Sequence, residues 1–217
     1  MHSIHICIGT LGKQENIDRL LSYLFWEDVQ KANVESVYIC SQVESIKLRP
    51  KAGLMLEYSP LALGCAGARQ HMVDYHNGRG LRDEDILIFL DDDIEVTESG
   101  WLEKLIAPLY EGYHLSGVEG RKLTKKMPRI DNKHFDYLSG GRLACLGEIF
   151  DYKCKFDTQF NPNYFEDADL CFQAKENGFK LACVGDIGLK HLETVNEEIS
   201  ALLETNRAKF YAKWGLS

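Results

Sequence analysis

The residue pattern predicts an α/β domain with a mostly parallel sheet covered by helices on both faces. Two features predict it: strand-length apolar runs alternate with helical spacings, and the run from Asp85 to Leu90 ends abruptly in Asp91-Asp92-Asp93. In open α/β sheets ligands sit at the carboxyl ends of strands, so this junction is the first place to look for chemistry. At 217 residues, with 45% hydrophobic and 27% charged residues, the chain can bury one sizeable core and shows no compositional sign of extended disorder.

Ile4 to Ile8 is a first strand, closed by the loop Gly9-Thr10-Leu11-Gly12. Asn16 to Lys31 places Ile17, Leu20, Leu21, Leu24, Phe25 and Val29 on one helical face. Val34 to Cys40 and Gly53 to Tyr58 read as the second and third strands, and Gly64 to Tyr75 as a helix entered through small residues. The strand Asp85 to Leu90 follows. Gly100 to Tyr110 is a helix in which Pro108 is an obstacle that marks its last turn, since proline removes an i→i−4 bond, clashes with the preceding turn and so brings a helix to its end. After a short strand at Leu115 to Glu119, the basic stretch Arg121 to Lys133, with Lys122, Lys125, Lys126 and Arg129, reads as an exposed loop able to act as a lid. Ser139-Gly140-Gly141 precedes the apolar run Leu143 to Phe150. Phe165 opens a helix that stops at Asn177-Gly178, Phe179 to Val184 is the last strand, His191 sits on a loop, and Glu197 to Lys213 is a terminal helix.

A formal net charge of −8 without a long Lys/Arg block argues against nucleic acid as a partner. The seven cysteines, Cys7, Cys40, Cys65, Cys145, Cys154, Cys171 and Cys183, are odd in number and form no CxxC pair. That pattern fits neither a zinc ribbon nor a disulfide framework, and it points to buried free thiols in a reducing compartment. The N-terminus lacks a signal-peptide pattern, and no apolar run approaches the ~20 residues that span a bilayer. A cytoplasmic protein is expected, with peripheral membrane contact left open. Phe210, Tyr211 and Trp214 either pack the terminal helix on its own sheet or form a dimer seam, so the oligomeric state stays open at this point.

Three adjacent carboxylates repel one another and lose hydration on burial, so Asp91-Asp92-Asp93 requires a cation, a shell of donors or open water. A second acidic group, Glu166, Asp167 and Asp169, stands at a helix start, where the macrodipole accounts for one or two of the three. GxxxxGK[ST] and GxGxxG are both absent, so neither a P-loop nor a dinucleotide turn applies. Two acidic groups at element ends suggest a division of labour in which one holds a divalent metal and the other supplies a general base.

These residues resemble the family 2 nucleotide-sugar glycosyltransferases of GT-A fold over nearly the whole chain. Asp91-Asp92-Asp93 resembles that family's DxD motif; Gly64-Cys65-Ala66-Gly67-Ala68-Arg69-Gln70 its "G…ARN" helix start; Phe165-Glu166-Asp167-Ala168-Asp169-Leu170 its "ED.DL" segment; and Asn206 to Gly215 its "N…F..KWG" ending. The resemblance implies a GT-A sheet flanked by helices with a small mixed second sheet, in a single domain (1–217) with a nucleotide-binding half (1–93) and an acceptor-binding half (94–217). It implies Mn²⁺ or Mg²⁺ as cofactor, held by Asp91, Asp93 and His191, and Asp167 as the base of an inverting transfer, with Glu166 as its close competitor. Thr10, Arg69, Asp91, Asp92, Gly140 and Gly141 fall among the substrate-binding positions. The implied partners are a nucleoside-diphosphate sugar, with a UDP-sugar favoured, and a saccharide or lipid-linked acceptor, in a setting such as polysaccharide biosynthesis. The chain departs from the family at Gly9-Thr10-Leu11-Gly12-Lys13, at Cys40-Ser41-Gln42-Val43-Glu44 and at Gln70, positions that bear on the choice of nucleotide.

Two other readings remain at this stage. Asp91 to Thr97 superficially resembles the nucleophile loop of haloacid-dehalogenase-like phosphatases, although that loop ends the first strand of its sheet and this one ends about the fourth. A nucleotidyltransferase would use a similar metal site. A non-catalytic sugar-nucleotide or glycan-binding module of the same fold is the reading from a different class.

Overall fold

The computed structural model describes residues 2–24, 32–43, 46–48, 55–125, 127–151, 153–192 and 198–216. Its main sheet has seven strands in the order β11-β6-β10-β4-β1-β2-β3. They are β1 (Ile4–Thr10), β2 (Val34–Ser41), β3 (Met55–Pro60), β4 (Ile86–Asp91), β6 (Leu115–Gly117), β10 (Arg142–Leu146) and β11 (Leu181–Cys183). The helices are α1 (Gln14–Leu24), α2 (Gly64–Asn77), α3 (Trp101–Tyr110), α4 (Glu166–Glu176) and α5 (Glu198–Trp214). Strands β3, β2, β1 and β4 run parallel, whereas β10 lies antiparallel to both β4 and β6.

Both faces of the sheet are covered, which explains why its strands read as unbroken apolar runs. Along β4, Ile86, Ile88 and Leu90 enter one core with Ile6 and Ile8 of β1, the α1 residues Ile17, Leu20, Leu21 and Leu24, and the α3 residues Trp101, Leu102 and Leu105. Leu87 and Phe89 alternate to the other face, joining Cys7, Met72 of α2, Leu170 of α4 and Phe210 of α5. Phe210 is fully buried, so the terminal helix packs on its own domain. Pro108 lies in the last turn of α3, as expected.

Several expectations need correction. Within Arg121 to Lys133 the chain is no plain loop: β7 (Gly120–Lys122) and β8 (Arg129–Ile130) form an antiparallel hairpin, which β9 (Tyr137–Leu138) completes as a three-stranded sheet. Its strands of two or three residues are too short to show a period. Phe179 to Val184 is not the last strand, because β12 (Leu189–His191) follows and pairs antiparallel with β5 (Ile94–Val96). Two small antiparallel sheets therefore stand where one mixed sheet was expected. The apolar run Leu143 to Phe150 divides into β10 and a 3₁₀ turn at Gly147–Phe150. Phe25, Val29, Glu44 and Lys126, named above, lie outside the described residues.

Candidate active site

The sheet register assembles the acidic triplet with its neighbours. Gly9 pairs with Asp91 across β1 and β4, and on the other side the Asp91 N–H donates to the Gly141 carbonyl at 3.1 Å. Asp92 is 8% exposed and accepts from the Thr10 hydroxyl, with Asn16 Nδ2 at 3.5 Å. Burial raises the Asp92 carboxyl above its ordinary range, with the Thr10 bond opposing it.

His191 arrives through tertiary structure. The expected loop position is corrected: His191 ends β12 opposite Ile94, which sets its ring beside the triplet. Nε2 lies 3.0 Å from Asp93 Oδ1 and 3.6 Å from Asp91 Oδ2. Burial works to lower the His191 pKa, but its bonds to the two carboxylates outweigh this and push it up to about 10. Asp91, Asp93 and His191 offer ligand atoms all within 4.8 Å of one another, and among the described residues no other group of three His, Cys, Asp or Glu does so. Two carboxylates and an imidazole, with sides open to further oxygen ligands, suit Mn²⁺ or Mg²⁺, so the residues present fit the expected cofactor.

Arg69 could have been an ordinary surface arginine of α2. Instead it is 5% exposed and bridges the two acidic groups, with Nη2 at 2.8 Å from Asp91 Oδ1 and Nη1 at 2.6 Å from Glu166 Oε1. Burial acts to raise the Asp91 carboxyl, yet Arg69 and His191 hold it down at about 2. Glu166 keeps one oxygen, Oε2, buried without a hydrogen-bond partner. Burial, reinforced by the adjacent Asp167, shifts Glu166 upward, and burial also raises Asp167 against the pull of Arg69.

The two glycines are close-approach positions. A Cβ on Gly141 would meet Asp91 Oδ2 at 2.3 Å, and one on Gly140 would meet Arg69 Nη1 at 2.7 Å and Asp167 Cβ at 3.0 Å. The Gly140 N–H donates to Asp167 Oδ2 at 3.0 Å, fixing that carboxylate. This turn stitches the β4 acids to the α4 acids.

Helix α4 is entered through Tyr164 and Phe165, both with positive φ, at 75° and 71°. Such conformations cost roughly 1–3 kcal/mol each for a non-glycine residue and persist only where the surroundings hold them. Asn206 of α5 supplies the hold: it is fully buried, and its Nδ2 lies 2.6, 2.7 and 3.2 Å from the carbonyls of Phe160, Asn163 and Tyr164. Asp169, grouped with the acids by sequence, belongs to this framework. It is fully buried and accepts from Trp214 Nε1 and Lys213 Nζ, both at 2.8 Å. The "N…F..KWG" ending is thus a clamp that sets the entry of α4.

Two cavities meet at Arg69, Asp91, Asn163 and His191. One, about 460 Å³, reaches past Thr10, Gln42, Cys65 and Asp92; the other, about 200 Å³, holds Gly140, Gly141, Glu166 and Asp167. Every site residue expected from the sequence lines one or both. Sequence reasoning missed Glu119, Arg121, Tyr137 and Arg142 on the smaller cavity. Arg121 donates to Glu119 at 2.5 Å, and Arg142 approaches the same carboxylate at 3.3 Å. The only signal for Arg121 was the basic stretch, in which it was one of six lysines and arginines.

No protein-family profile matches the chain, and no curated protein matches it. Solved structures do. Glucosyl-3-phosphoglycerate synthase from Mycobacterium tuberculosis, crystallised with Mn²⁺, UDP-glucose and phosphoglyceric acid, is 15% identical and aligns over 100% of this chain and 81% of its own, with a TM-score of 0.65. GalNAc-T7, crystallised with UDP, GalNAc and Mn²⁺, is 14% identical over 98% of this chain, with a TM-score of 0.68; the chain spans 48% of that longer protein. Identity this low speaks to architecture, and the chain has the GT-A fold shared by these structures.

Proposed function

We propose that this protein is a metal-dependent glycosyltransferase that moves a sugar from a nucleoside-diphosphate sugar to an acceptor hydroxyl. The observation that carries the reading is the meeting of two cavities at Asp91 and His191, which with Asp93 form the three-ligand group, with Asp167 on the far side of the Gly140-Gly141 turn. Asp91, Asp93 and His191 would hold Mn²⁺ or Mg²⁺, which when bound offsets the charge of the diphosphate leaving group. Residues 1–93 supply the nucleotide side through Thr10, Asp92 and Arg69, and residues 94–217 the acceptor side. UDP is the favoured nucleotide, as both solved structures contain it. The acceptor is a saccharide or a lipid-linked hydroxyl.

Asp167 serves as the base. Its raised pKa gives it more proton affinity than a free aspartate, and the Gly140 N–H orients it. Arg69 holds Asp91 ionised for cation binding and occupies one oxygen of Glu166, leaving Oε2 for a sugar or acceptor hydroxyl. Direct displacement with Asp167 as base inverts the anomeric centre. A thermal-shift panel of UDP-, GDP-, dTDP- and CMP-sugars with and without Mn²⁺ tests the reading, since a ligand of the folded state raises its melting midpoint. Asp93→Asn should abolish metal-dependent donor binding, whereas Asp167→Asn should bind donor and lose transfer. Wild-type transfer in either variant, or a product that retains the donor's anomeric configuration, would overturn the corresponding assignment.

A further inference from the structure

Charge is distributed unevenly in this acidic protein. Residues 121–134 carry six lysines and arginines against one aspartate, in a chain of formal net charge −8. The β7–β8 hairpin sorts them. Arg121 and Lys122 turn to acidic partners, Glu119 at 2.5 Å and Asp136 at 2.7 Å. Lys125, Arg129 and Lys133 are exposed, Arg129 with Asp131 Oδ2 at 3.6 Å, and between them stand two exposed apolar side chains, Met127 at 48% and Ile130 at 61%. Pairing of Arg121 with Ile130 and of Lys122 with Arg129 puts Ile130 and Arg129 on opposite flanks of β8, an edge strand of its sheet.

The projection is anchored from below: the Tyr211 hydroxyl donates to the Thr124 carbonyl at 3.1 Å, and Arg207 donates to the carbonyl of Lys125. Met127 and Pro128 also line the smaller cavity, so the hairpin stands at the mouth of the proposed acceptor side. Apolar side chains held in solvent beside exposed cations match a surface with an anionic skin and an apolar interior. A soluble polyanion would use only the cations and leave Met127 and Ile130 in water.

We propose that the β7–β8 hairpin docks this protein on an anionic lipid bilayer, with Lys125, Arg129 and Lys133 among the headgroups and Met127 and Ile130 entering the interfacial layer. The acidic remainder of the chain is repelled by the same surface, which fixes the orientation and turns the mouth of the acceptor-side cavity toward the lipid. Only the assignment of that cavity to an acceptor rests on the glycosyltransferase reading. Docking is measured without any sugar nucleotide, so failure of one proposal leaves the other standing.

The test is co-sedimentation of the full chain with vesicles of phosphatidylcholine alone and of phosphatidylcholine mixed with phosphatidylglycerol. Binding is expected only to the mixed vesicles, weakening as salt is raised. Arg129→Glu with Lys133→Glu should lower partitioning by more than about tenfold, given roughly fivefold for each basic residue at an anionic surface. Ile130→Ser, which leaves the charge unchanged, should lower it severalfold. These side chains are exposed, and an unchanged melting midpoint verifies the fold; if the double reversal melts early, Lys133→Gln with Ile130→Ser is read in its place. Equal binding to both vesicle types, binding indifferent to the substitutions, or retention on dextran sulfate without vesicle binding would overturn the proposal.

Discussion

Replacing Arg69 with methionine isolates the contact that joins the two halves of the site. Methionine keeps most of the side-chain volume beside Phe156, so little cavity forms and the main loss is electrostatic. Glu166 would lose its guanidinium partner with its side chain only 4% exposed; Asp91, at 32%, would lose less because solvent screens it. Removing one member of a buried ion pair typically costs about 3–5 kcal/mol, and with Asp91 discounted the lower end applies, ~3 kcal/mol at pH 8. That is a large part of the roughly 5–15 kcal/mol available to a domain.

The sign with pH follows from Glu166. Its folded pKa already lies above the unfolded value, and losing Arg69, which pulls it down, raises it further. A raised carboxyl contributes stability that is fully present below the unfolded pKa and is lost as pH rises through the folded one. The deficit of Arg69→Met relative to wild type should therefore grow from pH 5 to pH 8. Urea unfolding followed by tryptophan fluorescence at both pH values measures it. A deficit below about 1 kcal/mol at pH 8, or one that grows toward acid, would refute the buried-bridge account.

Gly141→Ala should leave the fold intact but move Asp91, because the new Cβ would stand 2.3 Å from Oδ2. Mn²⁺ affinity measured by calorimetry should fall about 10–100-fold, the usual effect of disturbing the support of a metal ligand, and wild-type affinity would show that the turn can yield. His76 lines neither of the two site cavities and is buried against the His5 ring at 4.4 Å. Burial, aided by His5, lowers its pKa to about 3. A depressed pKa means stability that is present above the unfolded value near 6.5 and declines as pH falls toward 3. At about 1.4 kcal/mol per pH unit, wild type should lose ~2 kcal/mol relative to His76→Gln between pH 7 and pH 5. Parallel urea midpoints for the two proteins would contradict the buried neutral histidine.

The parts of this protein legible in sequence are those governed by local periodicity. The apolar run before Asp91, the helical faces of Gln14–Leu24 and Gly64–Asn77, and the glycine stop after α4 all follow from spacing that neighbouring residues enforce. The roles of the hairpin and of β12 were illegible because short strands acquire their conformation from partners distant in sequence. Asp169 shows the same limit: it reads as a third acid of the α4 cluster, yet Trp214 and Lys213 tie it into the framework.

The acids Asp91, Asp92, Asp93, Glu166 and Asp167 and the alternation of strands with helices were determined by the order of residues, since strand ends and helix starts are set within a few positions along the chain. Tertiary structure alone decided which acids act together. Pairing of β12 with β5 brings His191 to Asp93, a glycine turn without Cβ atoms lets Asp91 and Asp167 stand on its two sides, and Arg69 closes the circuit from a third element. Those contacts lie between segments far apart in sequence, and short-range spacing carries no information about them.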